Sequence, residues 1–96
     1  MTSERRAKLT HEAAEIVAVE AFSYLASEPE LLERFLALSG ISPQTLRAAS
    51  SEPGFLAGVL DFFLTDERLL VAYAERAAIP PTRIAAARQS LGGSID

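Results

Sequence analysis

Apolar residues recur at helical spacing along most of the chain, and nowhere do they alternate with period two for long enough to predict a strand. Thr10 offers an N-cap, Glu12 and Glu15 lie in the first turns, where the helix dipole favours acids, and Ala14, Val17, Ala18, Ala21, Phe22 and Leu25 form one stripe. The first helix is therefore expected over 10–26. Ser27 and Glu30 have the spacing of a capping box, with Pro29 in the first turn, where its missing N–H costs nothing. Leu31, Leu32, Phe35, Leu36 and Leu38 then supply the apolar stripe of a second helix, and Gly40 its left-handed stop. Ser42-Pro43 starts a short third helix with Leu46 and Ala49 inward.

A shift of 24 residues aligns Ser27-Glu28-Pro29 with Ser51-Glu52-Pro53, Leu32 with Leu56 and Leu36 with Leu60. Duplication and recurrent capping grammar account for this equally well. Across the shift Glu30, Glu33 and Arg34 become Gly54, Ala57 and Gly58. A helix that is apolar or small all round belongs at the centre of a fold. Gly54, Ala57 and Gly58 on this fourth helix would admit a close neighbour, from the same chain or from a second copy. Thr65-Asp66-Glu67 reads as the cap of a fifth helix carrying Leu69, Leu70, Tyr73, Ala74 and Ala77, although one bent helix over 54–78 fits the pattern too. Ile79-Pro80-Pro81 breaks the chain before a last, alanine-rich helix anchored by Ile84 and Leu91 and ended by Gly92-Gly93. The fold class expected is all-α: a compact bundle of five or six short helices in orthogonal or irregular packing. It forms a single domain over 10–91, with flexible segments at 1–9 and 92–96.

Composition narrows the chemistry. The chain has no cysteine and one histidine, which excludes disulfide scaffolds, cysteine-ligated metal sites and thiol nucleophiles. The lack of cysteine is consistent with a reducing compartment. Of nine basic residues, eight are Arg and one is Lys, and Ala and Leu make up nearly a third of the chain, a bias that hints at a GC-rich bacterial genome. The net charge of −4 argues against non-specific binding to nucleic acid or to anionic membranes. Arg5, Arg6 and Lys8 crowd the amino terminus, but Glu12, Glu15 and Glu20 interrupt any signal-peptide core, and no charge-free run is long enough to span a membrane. A cytoplasmic protein is expected.

Each candidate site has a structural alternative. Ser39-Gly40-Ile41-Ser42-Pro43-Gln44-Thr45-Leu46-Arg47 resembles the turn of helix-turn-helix DNA-binding proteins, in which Gln44 and Arg47 would reach base edges. Leu36 stands where that motif wants a small residue, and the segment otherwise reads as a capped helix connection. His11 and Glu15, one turn apart, could offer two metal ligands but lack the His and Cys partners to complete a site. Asp61 is the one charge between Pro53 and Asp66. It is either a buried functional acid or a partner for Arg34, Arg83 or Arg88 or an edge residue facing water. Glu28 and Glu52, at matching cap positions, have capping roles before any catalytic one. Phe62 and Phe63 are adjacent, so one of them is expected to point outward as a surface anchor.

Phe35-Leu36-Ala37-Leu38-Ser39-Gly40-Ile41, then Phe55-Leu56-Ala57-Gly58-Val59-Leu60-Asp61-Phe62, then Ile79-Pro80-Pro81, resemble the small bacterial proteins of domain-of-unknown-function family 3572, from about Thr10 to Leu91. The resemblance implies a compact helical protein and brings no activity, cofactor or catalytic residue to transfer. The sequence holds no catalytic constellation, and no cofactor is expected. The expected function is a non-enzymatic protein–protein interaction module whose partner is another protein or a second copy in a homodimer. Its candidate contact residues are Phe62, Phe63, Gly54, Ala57, Gly58 and Asp61. A helix-turn-helix-like DNA binder centred on 37–49 is the alternative.

Overall fold

A computed structural model describes residues 9–92. Six α-helices account for most of them: α1 His11–Ala26, α2 Pro29–Ser39, α3 Leu46–Ala49, α4 Phe55–Leu64, α5 Glu67–Ala77 and α6 Pro81–Leu91, with a 3-10 turn at Pro43–Thr45 leading into α3. The molecule is an all-α bundle, and α4 and α5 are separate helices. Residues 1–8 and 93–96 of the expected flexible segments, Gly93 among them, lie outside the described residues. Leu9 is half-buried against the core, and Ser90 Oγ donates to its carbonyl at 2.7 Å, tying the start of α1 to the end of α6.

Local chemistry sets most boundaries. Thr10 caps α1, its hydroxyl accepting from the Ala13 N–H at 3.0 Å. Gly40, at φ 77°, ends α2 as expected. The capping box expected at Ser27 and Glu30 does not form. Proline disfavours helical backbone in the residue before it, so Glu28 is extended and becomes the cap. Ser27 instead stays in the last turn of α1, its hydroxyl donating to the Tyr24 carbonyl at 2.7 Å. The repeat likewise stops at the level of sequence. Helix α2 begins at Pro29, whereas α4 begins only at Phe55, two residues beyond the matching Pro53, after Gly54 in a left-handed conformation at φ 98°.

Helices α1, α4 and α6 pack against one another at the centre, with α2 and α5 laid on their flanks. The core is apolar throughout: Ala14, Ala18, Ala21, Leu25, Val59, Leu60, Phe63, Ile84 and Ala87 are all at 0% exposure. The alanines let α1 and α6 approach closely. All seven aromatic residues form one connected set of ring contacts. Phe22, Phe35 and Phe55 meet edge to face with centroids 5.2–6.4 Å apart, Phe62 joins Phe35 at 5.5 Å, and Phe63 meets Tyr73 at 5.1 Å. Tyr24 meets Tyr73 at 5.0 Å, closing the set across α1 and α5. No described helix is long and apolar enough to cross a membrane.

Candidate functional site

Phe62 and Phe63 are both buried, contrary to the expectation that one would point outward. Neighbouring helix positions diverge by about 100°, and α4 has neighbours on both sides. Phe62 turns to Phe35 of α2, while Phe63 turns to Tyr24 of α1 and Tyr73 of α5. Burial pushes the Tyr73 phenol above its ordinary value, and the charge of Glu20 adds to the effect. The phenol is thus held neutral as part of the core.

The small residues of α4 serve no close approach within the chain. A Cβ placed on Gly54 or Gly58 would meet nothing within 4 Å. Gly54 is needed instead for its positive φ, which starts α4. With Ala57 it lines a surface cleft of about 620 Å³ between the start of α1, the α3–α4 connection and the end of α6. His11, Glu15, Glu52 and Leu91 share its lining. His11 Nδ1 lies 3.6 Å from Glu15 Oε2, and both side chains are largely in solvent. Among the described residues no group of three or more histidines and carboxylates is placed to share a metal ion. The cleft thus has an acidic mouth and small walls, with its charged groups hydrated rather than buried.

Asp61 is 54% exposed and accepts from Arg88 Nε at 2.8 Å, so it is an edge carboxylate paired across α4 and α6. Arg88 also donates through Nη1 to the Gly92 carbonyl at 2.8 Å and so closes the end of α6. A second such strap joins α2 to α5. Arg34 pairs with Asp66, which caps α5 by accepting from the Leu69 N–H at 3.1 Å, and its guanidinium lies 5.7 Å from the Phe62 ring centroid. The Leu69 hydrogen bond holds the Asp66 carboxyl below the usual carboxylate range. Partial burial opposes that shift and Arg34 adds to it.

Gln44 and Arg47 are both exposed. They sit on a 3-10 turn and a single turn of α-helix, and the Ser42 and Thr45 hydroxyls are used up in a reciprocal cap. This is a capped helix connection.

What the surface displays instead is large apolar side chains. Ile16 and Val19 on α1 are 59% and 50% exposed, Leu38 on α2 is 73% exposed, and Val71 on α5 is 40% exposed. Leu38 was expected inside. It lies about 200° around the helix from Leu36, which takes the inward position. Ile16 and Val19 could have been found from sequence, since both fall outside the inward stripe of α1. Val71 sits among Glu67, Arg68, Ala72 and Glu75, which together line a shallow groove along the outer face of α5.

The family model described as "Protein of unknown function (DUF3572)" matches residues 11–94, which takes in every helix from α1 to α6. No curated protein and no solved structure matches the chain.

Proposed function

The chain belongs to the DUF3572 family, and from that premise we propose that it is a non-enzymatic protein–protein interaction module working in the bacterial cytoplasm. One observation carries the reading: Ile16, Val19, Leu38 and Val71 project into solvent from three helices while the core beneath them is already filled. Scattered surface apolar residues are common. Here, however, two of them form an i, i+3 pair on α1 and another lies in a charge-lined groove. Such groups gain free energy only when another surface covers them. Arg34, Asp66, Asp61 and Arg88, in contrast, are engaged in the two straps between helices. The absence of cysteine accords with a reducing compartment. The DNA-binding alternative has less behind it, since Arg47 is the one cation on the turn and short helix that would have to read bases.

A photoreactive residue placed at position 16, 19, 38 or 71 of the full chain, in cells that make it, tests the proposal. A discrete crosslinked protein species from at least one position is expected, whether a second copy or another chain. No discrete species from any of the four would overturn the reading.

A further inference from the structure

Helix α1 carries Glu12, Glu15 and Glu20 and neither Lys nor Arg. The three carboxylates are exposed, as are Ile16, Val19 and Ser23. At about 100° per residue these six positions share one face. The midline between Ile16 and Val19 runs within about 10° of Glu12, one turn before, and of Ser23, one turn after. Glu15 and Glu20 lie about 70° to either side of that line. The buried stripe of Ala14, Ala18, Ala21 and Leu25 is on the opposite side of the helix. The outer face of α1 is thus an apolar pair enclosed by carboxylates on three sides.

The ion pairs among the described residues join His11 to Glu15, Arg34 to Asp66 and Arg88 to Asp61, so no arginine among them pairs with these three acids. Arg76 of α5 approaches α1 at the Tyr24 ring, about 110° round from the midline, with its guanidinium 5.7 Å from the ring centroid. Glu15 also lines the cleft that holds Glu52, which continues the acidic surface past the start of the helix.

We propose that the outer face of α1 is a docking surface for an amphipathic helix of another protein, one whose apolar stripe is flanked by lysines or arginines. The proposal rests on the interaction-module reading and gives the partner its chemistry. Ile16 and Val19, at 59% and 50% exposure, gain free energy only under a covering surface. The carboxylates select what covers them, since a cationic rim is attracted along both edges and an acidic one is repelled. The face of a helix presents no backbone N–H or C=O for pairing, so its occupant must satisfy its own backbone, as a helix does. From Glu12 to Ser23 the face runs about 17 Å, or about three turns.

A second copy is, by charge, the wrong occupant. Helix α1 laid on another α1 would set acid against acid. On α5 the exposed Val71 has Glu67 and Glu75 beside it as well as Arg68. On α2 the cation one turn before the exposed Leu38 is Arg34, which is already paired with Asp66.

A photoreactive residue at position 23 lies on the midline and leaves Ile16 and Val19 in place. Crosslinking from position 19 or 23 of the full chain, in cells that make it, is followed by mass spectrometry of the crosslinked segment. That segment, as a synthetic peptide, is then titrated against the full chain. The expected product is a helix-forming segment of another protein with lysines or arginines on both edges of its apolar stripe. Glu12→Lys/Glu20→Lys should weaken the peptide's binding by about tenfold or more. Glu33→Lys/Glu75→Lys, which changes the net charge equally on other helices, should leave it within about twofold. Binding should be weaker in about 0.5 M salt than in about 50 mM. Circular dichroism confirms that each variant remains helical. No discrete species from either position, a crosslinked segment without the cationic edges, a second copy as the crosslinked species, or an affinity that follows net charge rather than position would overturn the proposal. Crosslinks from positions 38 and 71 depend on none of these results, so the broader reading stands or falls separately.

Discussion

Asp66 shows how much one side chain settles here. It caps α5, accepts from Arg34 on α2, and separates α4 from α5 where the pattern alone allowed one bent helix. Because its carboxyl is held below the ordinary value of 3.8 by the Leu69 N–H, the folded chain binds that proton less readily than the unfolded chain does. The stabilisation is thus fully present above the unfolded value and is lost as pH falls through the lower folded one. Asp66→Asn keeps a capping oxygen but removes the charge. Thermal unfolding followed from about pH 6 to about pH 2.5 should show wild type more stable than Asp66→Asn near neutrality, with most of that difference gone at the acid end. A gap that stays constant with pH would mean that the charge contributes nothing. Asp61 differs in that it is largely hydrated, as exposed ion pairs of little net value usually are.

Helix ends were legible wherever a residue with special backbone chemistry marks them. Thr10, Gly40, Ser42-Pro43, Asp66 and Pro80-Pro81 all stand at the ends assigned to them from sequence. The sequence misled at Ser27, where two caps compete for a short connection and the restriction imposed by Pro29 decides. It was silent at Ala78. That residue ends α5 in the left-handed conformation at φ 60°, in a Schellman arrangement whose Ala78 N–H donates to Glu75 O at 3.2 Å and Ile79 N–H to Ala74 O at 3.0 Å. An alanine gives no sequence signal for such a stop, because its Cβ strains the conformation that glycine adopts freely. The strain gives a direct prediction: Ala78→Gly should stabilise the protein by about 1 kcal/mol, read as a higher urea midpoint at unchanged slope. A loss of stability would show that the left-handed cap does not persist in solution.

At the scale of the whole molecule, the hardest thing to read from sequence was which apolar side chains the fold uses up. Periodicity ranks the faces of one helix but does not say how many neighbours that helix acquires. Phe62 and Phe63 looked divergent and are both enclosed because α4 lies between α2 on one side and α1 and α5 on the other. Leu38 looked inward and is free because its helix is laid on a flank. The division between used and unused apolar groups can be measured. Phe63 touches α1 and α5 from the centre of the aromatic set and is at 0% exposure, so Phe63→Ala should cost about 3–5 kcal/mol, a large part of the about 5–15 kcal/mol that holds a domain folded. Leu38→Ala, at 73% exposure, should change stability by no more than about 0.5 kcal/mol. Urea denaturation of both variants decides the matter. If Leu38→Ala is as damaging as Phe63→Ala, Leu38 belongs to the core and is lost to the surface proposed for partners. A wide separation instead leaves the exposed leucine, isoleucine and valines free for contacts outside the fold.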